Sequence, residues 1–166
     1  MIRAYLPALV FVGLGTFLGL TFAVLNTYLG PKRRVSSRAQ GMTANAVASL
    51  SLDPVLVLVC FDNGARTLPE VQREKRFGVN VLAAGQEHLA RRFASKEDSK
   101  FADVPHSVHD GIPVLDGTLA WVGCELDALI PAGDHTIGIG AVHSAELGRE
   151  GLEPLIWFRG RYTALG

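Results

Sequence analysis

Residues Gly41 to Pro54 read Gly-Met-Thr-Ala-Asn-Ala-Val-Ala-Ser-Leu-Ser-Leu-Asp-Pro and run directly into the apolar stretch Val55 to Cys60. Small residues, hydroxyls and an amide leading into a buried strand let backbone N–H groups be approached closely, and they set short polar side chains where a flat, polar-edged ligand can lie. The β signal continues through the body. Short runs at Val55 to Phe61, Phe77 to Leu82, Leu119 to Leu129, Thr136 to Ala145 and Leu155 to Thr163 alternate with turn residues. Asp116-Gly117, between Val114-Leu115 and Thr118-Leu119, is a hairpin signal. Leu119 to Cys124 suits a strand buried on both faces. Two helices interrupt the pattern. Pro69 fits the first turn of one running to Arg76, and Gln86 to Phe93 places Leu89 and Phe93 on one face of another. These signals predict a mainly β body with a few helices.

The N-terminal segment is of a different kind. From Ala4 to Pro31 there is no charged residue, a length above the ~20 residues that cross a bilayer. The run shows no amphipathic period and predicts a transmembrane helix over residues 4–29. Lys32, Arg33, Arg34 and Arg38 follow at once, whereas Arg3 alone precedes, so the positive-inside bias places the C-terminal body in the cytoplasm. A cleaved signal peptide is the alternative. Its shorter apolar core and small-residue cleavage site fit poorly to a run ending in Leu29-Gly30-Pro31-Lys32-Arg33. The division is then a membrane helix with its basic exit at 1–34, a linker at 35–40 and a body at 41–166.

Charge and cysteine usage exclude several classes. Residues 1–34 carry four basic and no acidic groups, and the remaining 132 carry 12 basic against 16 acidic, a net of −4. With no basic stripe to neutralise phosphates, the body is a poor nucleic-acid binder. Cys60 and Cys124 each sit inside an apolar run, outside any C-x-x-C, and read as buried free thiols of a reducing compartment. His106 and His109 flank Asp103 and Asp110, but His-x-x-His in a Pro- and Gly-containing loop lacks helical i, i+4 geometry, so no metal site is expected.

The Gly41 to Pro54 segment resembles the flavin reductase domain of two-component monooxygenases. The likeness continues in order through Asn80-Val81-Leu82, Gln86 to Phe93, Gly133-Asp134-His135-Thr136 and Phe158-Arg159-Gly160-Arg161-Tyr162. It implies an FMN-binding split β-barrel and NAD(P)H-dependent reduction of FMN or FAD, with reduced flavin passed to a monooxygenase by a homodimer. A non-catalytic flavin- or haem-binding module on the same barrel is the competing reading, since fold alone does not fix activity. Relative to the family, the barrel's opening helix and strand are expected to be missing, with the membrane helix in their place. Residues 1–33 separately resemble the opening helix of a small membrane component of the proton-pumping NADH:quinone oxidoreductase, through Tyr5-Leu6-Pro7 and the Leu29 to Arg33 exit. That likeness allows a fragment of a respiratory membrane protein fused to a truncated reductase.

Hydride transfer between nicotinamide and flavin is the cofactors' own chemistry, so no catalytic side chain is expected. By resemblance, Met42, Thr43, Ala44 and Asn45 contact the flavin, while Ser49, Ser51 and Asp53 shape its loop. Arg66 and Thr67 meet the phosphate; a solvated loop arginine is the plain alternative. Asn80, Val81 and Leu82 lie by the ring system, and Gln86, Arg91 and Phe93 close that side. His135, Arg159 and Tyr162 are assigned to NADH or NADPH, His135 because an imidazole in a turn can donate to a carboxamide.

Overall fold

A computed structural model describes residues 23–28 and 39–163. In chain order the strands and helices are β1 (Ala23–Tyr28), β2 (Ala39–Ala44), β3 (Val47–Leu52), β4 (Val55–Asp62), α1 (Thr67–Glu74), β5 (Arg76–Val81) and, after a 3-10 turn, α2 (Glu87–Ala94). There follow β6 (His106–His109), β7 (Ile112–Leu115), β8 (Ala120–Ala132), β9 (His135–Leu147), β10 (Ile156–Phe158) and β11 (Arg161–Thr163). Alternation decides which way the strands face. Val57, Val59 and Phe61 of β4 and Phe77, Val79 and Val81 of β5 are all buried in one cluster, as a period of two requires.

Seven antiparallel strands form one sheet in the order β2-β1-β5-β8-β9-β4-β3. Strands β2 and β3 stand at its two ends, yet Asn45 and Ala46 alone join them, and three virtual bonds span at most ~11 Å. The two edges must therefore meet. The Cys60 N–H, donating to the Ala46 carbonyl at 2.9 Å, fastens the corner. The sheet is thus rolled into a barrel, and no ladder joins β2 to β3 among the described residues. Inside it, the Phe61 and Phe77 rings meet edge to face at 6.0 Å. They fit because β9 carries glycine opposite them: a Cβ at Gly138 would stand 2.6 Å from Phe61 and one at Gly140 2.5 Å from Phe77.

A second core lies under α2, where Leu89, Ala90 and Phe93 pack with Phe101, Val104, Leu82, Leu115 and Leu155. Strand β5 is buried on both faces as a result. Its Asn80 bridges the two cores, accepting from the Leu115 N–H at 2.8 Å and donating to the Pro113 carbonyl at 3.3 Å.

Three expectations change. Residues 23–28, placed in the membrane helix, are instead β1, paired antiparallel with β2 over six residues and with β5 over four. That strand fills the position expected to be missing, because its backbone groups find ladder partners on both sides. The remainder of the predicted helix, residues 4–22 and 29, lies outside the described residues, as does most of the 35–40 linker. Among the described residues no helix is long and apolar enough to cross a membrane. Next, the Gly41 to Pro54 loop is two strands with a corner at Asn45-Ala46. Finally, Asp116-Gly117 makes no hairpin: β7 pairs with β6, and β8 with β5 and β9. A two-residue hairpin turn favours positive φ at both positions. Asp110-Gly111 has it (51° and 77°) and joins β6 to β7, whereas at Asp116-Gly117 only the glycine does.

Candidate functional site

A cleft of about 600 Å³ opens beside β2. Gln40, Gly41, Met42 and Thr43 form its floor, the β4–α1 loop from Asp62 to Thr67 forms one wall, and Phe93 with residues 94–97 and Lys100 forms the other. Each wall is held locally. In the first, Asp62 Oδ1 accepts the Gly64 N–H at 2.6 Å, and its carbonyl accepts the Ala65 N–H at 2.9 Å, a side-chain-closed turn that delivers Arg66 and Thr67 to the start of α1. Asn63 braces this loop against the β8–β9 turn: its N–H donates to the Asp134 carbonyl at 3.0 Å, its amide to the Gly133 carbonyl at 3.2 Å, and it accepts from Thr136 Oγ1 at 2.7 Å.

The second wall is set by α2 and the chain beyond it. Arg92 donates to the carbonyls of Lys100 (2.7 Å), Ser99 (3.4 Å) and Ala102, folding that segment back over the helix. Lys100 Nζ donates to the Phe93 carbonyl at 2.8 Å and to the Gly41 carbonyl at 3.1 Å, tying wall to floor. Burial first, and then the Arg66 charge, hold the Lys100 ammonium below the usual lysine range, with Glu97 opposing. Thr43 Oγ1 donates to the Ala90 carbonyl at 2.6 Å, so its hydroxyl can only accept from a ligand. Close approach of floor and wall needs glycine at 41, where a Cβ would lie 2.8 Å from the Phe93 ring and 3.1 Å from Phe101. The lining carries three cations (Arg66, Lys96, Lys100) and two carboxylates (Asp62, Glu97), with both signs on each wall. Arg66 is ion-paired with Asp98.

Met42, Thr43, Arg66, Thr67 and Phe93 are brought together in this cleft. The other sequence-derived candidates lie elsewhere. Ala44, Val81 and Leu82 are buried in the two cores, and Asn80 is committed to the β7 backbone. Asn45 is exposed at the corner. Ser49 and Ser51 flank an irregularity in the β3–β4 ladder, and Asp53 is exposed in the β3–β4 turn. Gln86 accepts the Ala83 N–H at 3.0 Å and donates to the Asp116 carbonyl at 2.8 Å. Arg91 pairs with Glu87 at 2.6 Å and lies 5.1 Å from the Tyr162 ring centroid.

Of the nicotinamide candidates, His135 stands opposite Asp62 in the β4–β9 ladder, beside a residue that lines the cleft. Its Nδ1–H donates to Asp134 Oδ1 at 2.8 Å, which pushes the imidazole above its ordinary value of 6.5. Arg159, at φ 50° in the β10–β11 turn, lies over Phe158, and Tyr162 packs on Trp157 and the second core. Neither lines the cleft. Lys96 and Lys100 escaped sequence reasoning; the available signal was a pair of lysines just past the amphipathic helix, readable only once that helix is known to flank β2. His106 and His109 fall on β6, His106 at 2.7 Å from the Val104 carbonyl and His109 at 3.5 Å from Glu146.

A split β-barrel with a cleft opening beside β2 defines the class. The flavin reductase like domain model matches residues 29–166, and the chain belongs to that family. It is 36% identical over 127 residues to the reductase subunit HsaB of a flavin-dependent monooxygenase from Mycobacterium tuberculosis, covering 75% of this chain and 68% of that protein. An NADH:FMN oxidoreductase of Rhodococcus erythropolis is 35% identical over 156 residues, 89% of this chain and 77% of that one. Among solved structures, the NADH:FAD oxidoreductase SgcE6 of Streptomyces globisporus C-1027 superposes with a TM-score of 0.79 at 32% identity, over 89% of this chain and 86% of that one. Strand β1 precedes the segment that the family model matches.

Proposed function

We propose that this chain is an NAD(P)H:flavin oxidoreductase that reduces free FMN, or FAD, and passes the reduced flavin to a flavin-dependent monooxygenase. Family membership and the cleft beside β2 carry the reading. The cleft volume falls within the ~300–1,000 Å³ range of cofactor sites, and its residues fit a flavin. Met42 and Thr43 offer backbone, a thioether side chain and a hydroxyl on the cleft floor. Arg66, with Lys96 and Lys100 nearby and the first turn of α1 opening at Thr67, suits a terminal phosphate through charge and the helix N-terminal field. When bound, the flavin accepts two electrons as hydride from the reduced nicotinamide. The chain's own residues bind, orient and shield. His135, on the turn braced to the cleft wall by Asn63, is the proposed carboxamide contact; Arg159 and Tyr162 remain the proposed outer nucleotide contacts.

Two further readings belong to this proposal. Homodimerisation is supported by large apolar side chains left exposed on the described surface, Leu50 and Leu52 on β3 together with Ile130, Leu147 and Phe158. Attachment to the cytoplasmic face of a membrane is supported by the uncharged run ahead of β1, close to the ~20 residues a span needs. Carbonate extraction tests attachment, and recovery wholly in the soluble fraction would sink it. For the activity, full-length protein should oxidise NADH only when FMN or FAD is added. Tight FMN binding without NADH oxidation would favour a non-catalytic binding module instead.

A further inference from the structure

We infer that Asp98 competes with the flavin's terminal phosphate for Arg66, and thereby sets how tightly phosphate-bearing flavins are held; the inference rests on the flavin reading above. Arg66 lines the β4–α1 wall of the cleft, and Asp98 lies between Glu97 and Lys100 of the facing wall without lining the cleft itself, so their ion pair links the two walls. Both side chains are mostly exposed, at 61% and 87%. An anion arriving from solvent can therefore reach the guanidinium without unfolding anything.

The neighbouring cations are differently placed. Lys100 is held by the Gly41 and Phe93 carbonyls and adds field at a fixed position, whereas Arg66 has an exchangeable partner. A phosphate dianion offers a guanidinium two parallel hydrogen bonds and about twice the charge of a carboxylate, so it displaces Asp98 at the cost of the surface pair. That cost is small, as exposed pairs are weak. A small cost suits a protein that must release its flavin: Asp98 stands ready to retake Arg66 when the phosphate leaves. Asp98 is thus a positioning residue, acting through Arg66.

The test measures FMN and riboflavin Kd on the full-length protein by flavin fluorescence quenching, because riboflavin has the same ring system and no phosphate. Asp98→Asn should tighten FMN by about 2- to 5-fold, the range an exposed ion pair supports, and leave riboflavin unchanged. Asp98→Glu should restore the wild-type FMN value, and Arg66→Met should reduce FMN affinity to near that of riboflavin. A thermal melt matching the wild type is the check that each variant is folded, and Asp98→Ser serves if the asparagine variant fails it. Equal changes for both flavins, or none for FMN, would overturn the role of Asp98 while leaving the flavin reading intact. Failure of the wild-type protein to bind either flavin would overturn both.

Discussion

Replacing Gly41 by alanine adds one methyl group where floor and wall of the cleft touch. The new Cβ would stand 2.8 Å from Phe93 Cε1, 2.9 Å from Cδ1 and 3.1 Å from Phe101 Cε2. Neither ring can swing aside easily, since both are buried and pack edge to face at 4.8 Å. Overpacking of this kind costs about 1–3 kcal/mol. For a domain of this size each kcal/mol lowers Tm by about 2–4 °C, so a fall of roughly 2–12 °C is expected. The Gly41 carbonyl also accepts from Lys100, so the same shift should loosen the basic wall and weaken FMN binding. Gly85→Ala is the control, because a Cβ there meets nothing within 4 Å and its φ is not positive. Thermal melts and flavin quenching on the two variants read stability and site together. Trimming the obstructing ring in Gly41→Ala/Phe93→Leu should recover part of the loss. If Gly41→Ala melts with Gly85→Ala and binds FMN as the wild type does, the close packing of β2 on α2 is not what shapes the cleft.

Three other outcomes are expected. Deleting residues 1–28 removes β1 from between β2 and β5, leaving both with unpaired backbone groups, so the product should lose cooperative unfolding by circular dichroism; a sharp native-like transition would show that β1 is dispensable. His135→Ala should lower kcat/KM for NADH by about 5- to 150-fold, or ~1–3 kcal/mol, with FMN Kd unchanged, and unaltered kinetics would remove it from the nicotinamide site. The His135–Asp134 pair should show in proton titration by NMR, with the imidazole above 6.5 and the carboxyl below 3.8, each shift caused first by their mutual hydrogen bond. The raised histidine contributes stability fully below its unfolded value of 6.5 and loses it as pH rises through the folded value. The depressed aspartate contributes above 3.8 and loses it as pH falls through its own folded value, so the pair is complete between these limits. Asp134→Asn should return His135 to an ordinary titration.

The sequence by itself determined strands β4, β5, β8 and β9 and both helices, because strand-like apolar runs and helical periodicity are local properties, while the ordered motifs from Gly41 to Tyr162 carried the family. Leu89 and Phe93 declare their shared buried face from spacing alone, whereas in the uninterrupted apolar run of β4 only the fold shows that Val57, Val59 and Phe61 face the core. Charge likewise told against nucleic acid without any fold. Tertiary structure decided what local signals could not. An uncharged run can be a membrane helix or a sheet strand, so composition could not show that Ala23–Tyr28 would find ladder partners in β2 and β5. Asp116-Gly117 and Asp110-Gly111 are the same dipeptide, and only the backbone separates hairpin from crossover. Met42, Thr43, Arg66, Thr67 and Phe93, named from sequence, fall together in the cleft, since they sit where a corner, a loop and a helix end meet. Asn80 and Gln86 do not line it, and their bonds to neighbouring backbone have no signal in sequence, where a clamping amide looks like one that is free. Lys96 and Lys100 join the cleft because Arg92 folds their segment back over α2, a long-range arrangement with no spacing to announce it.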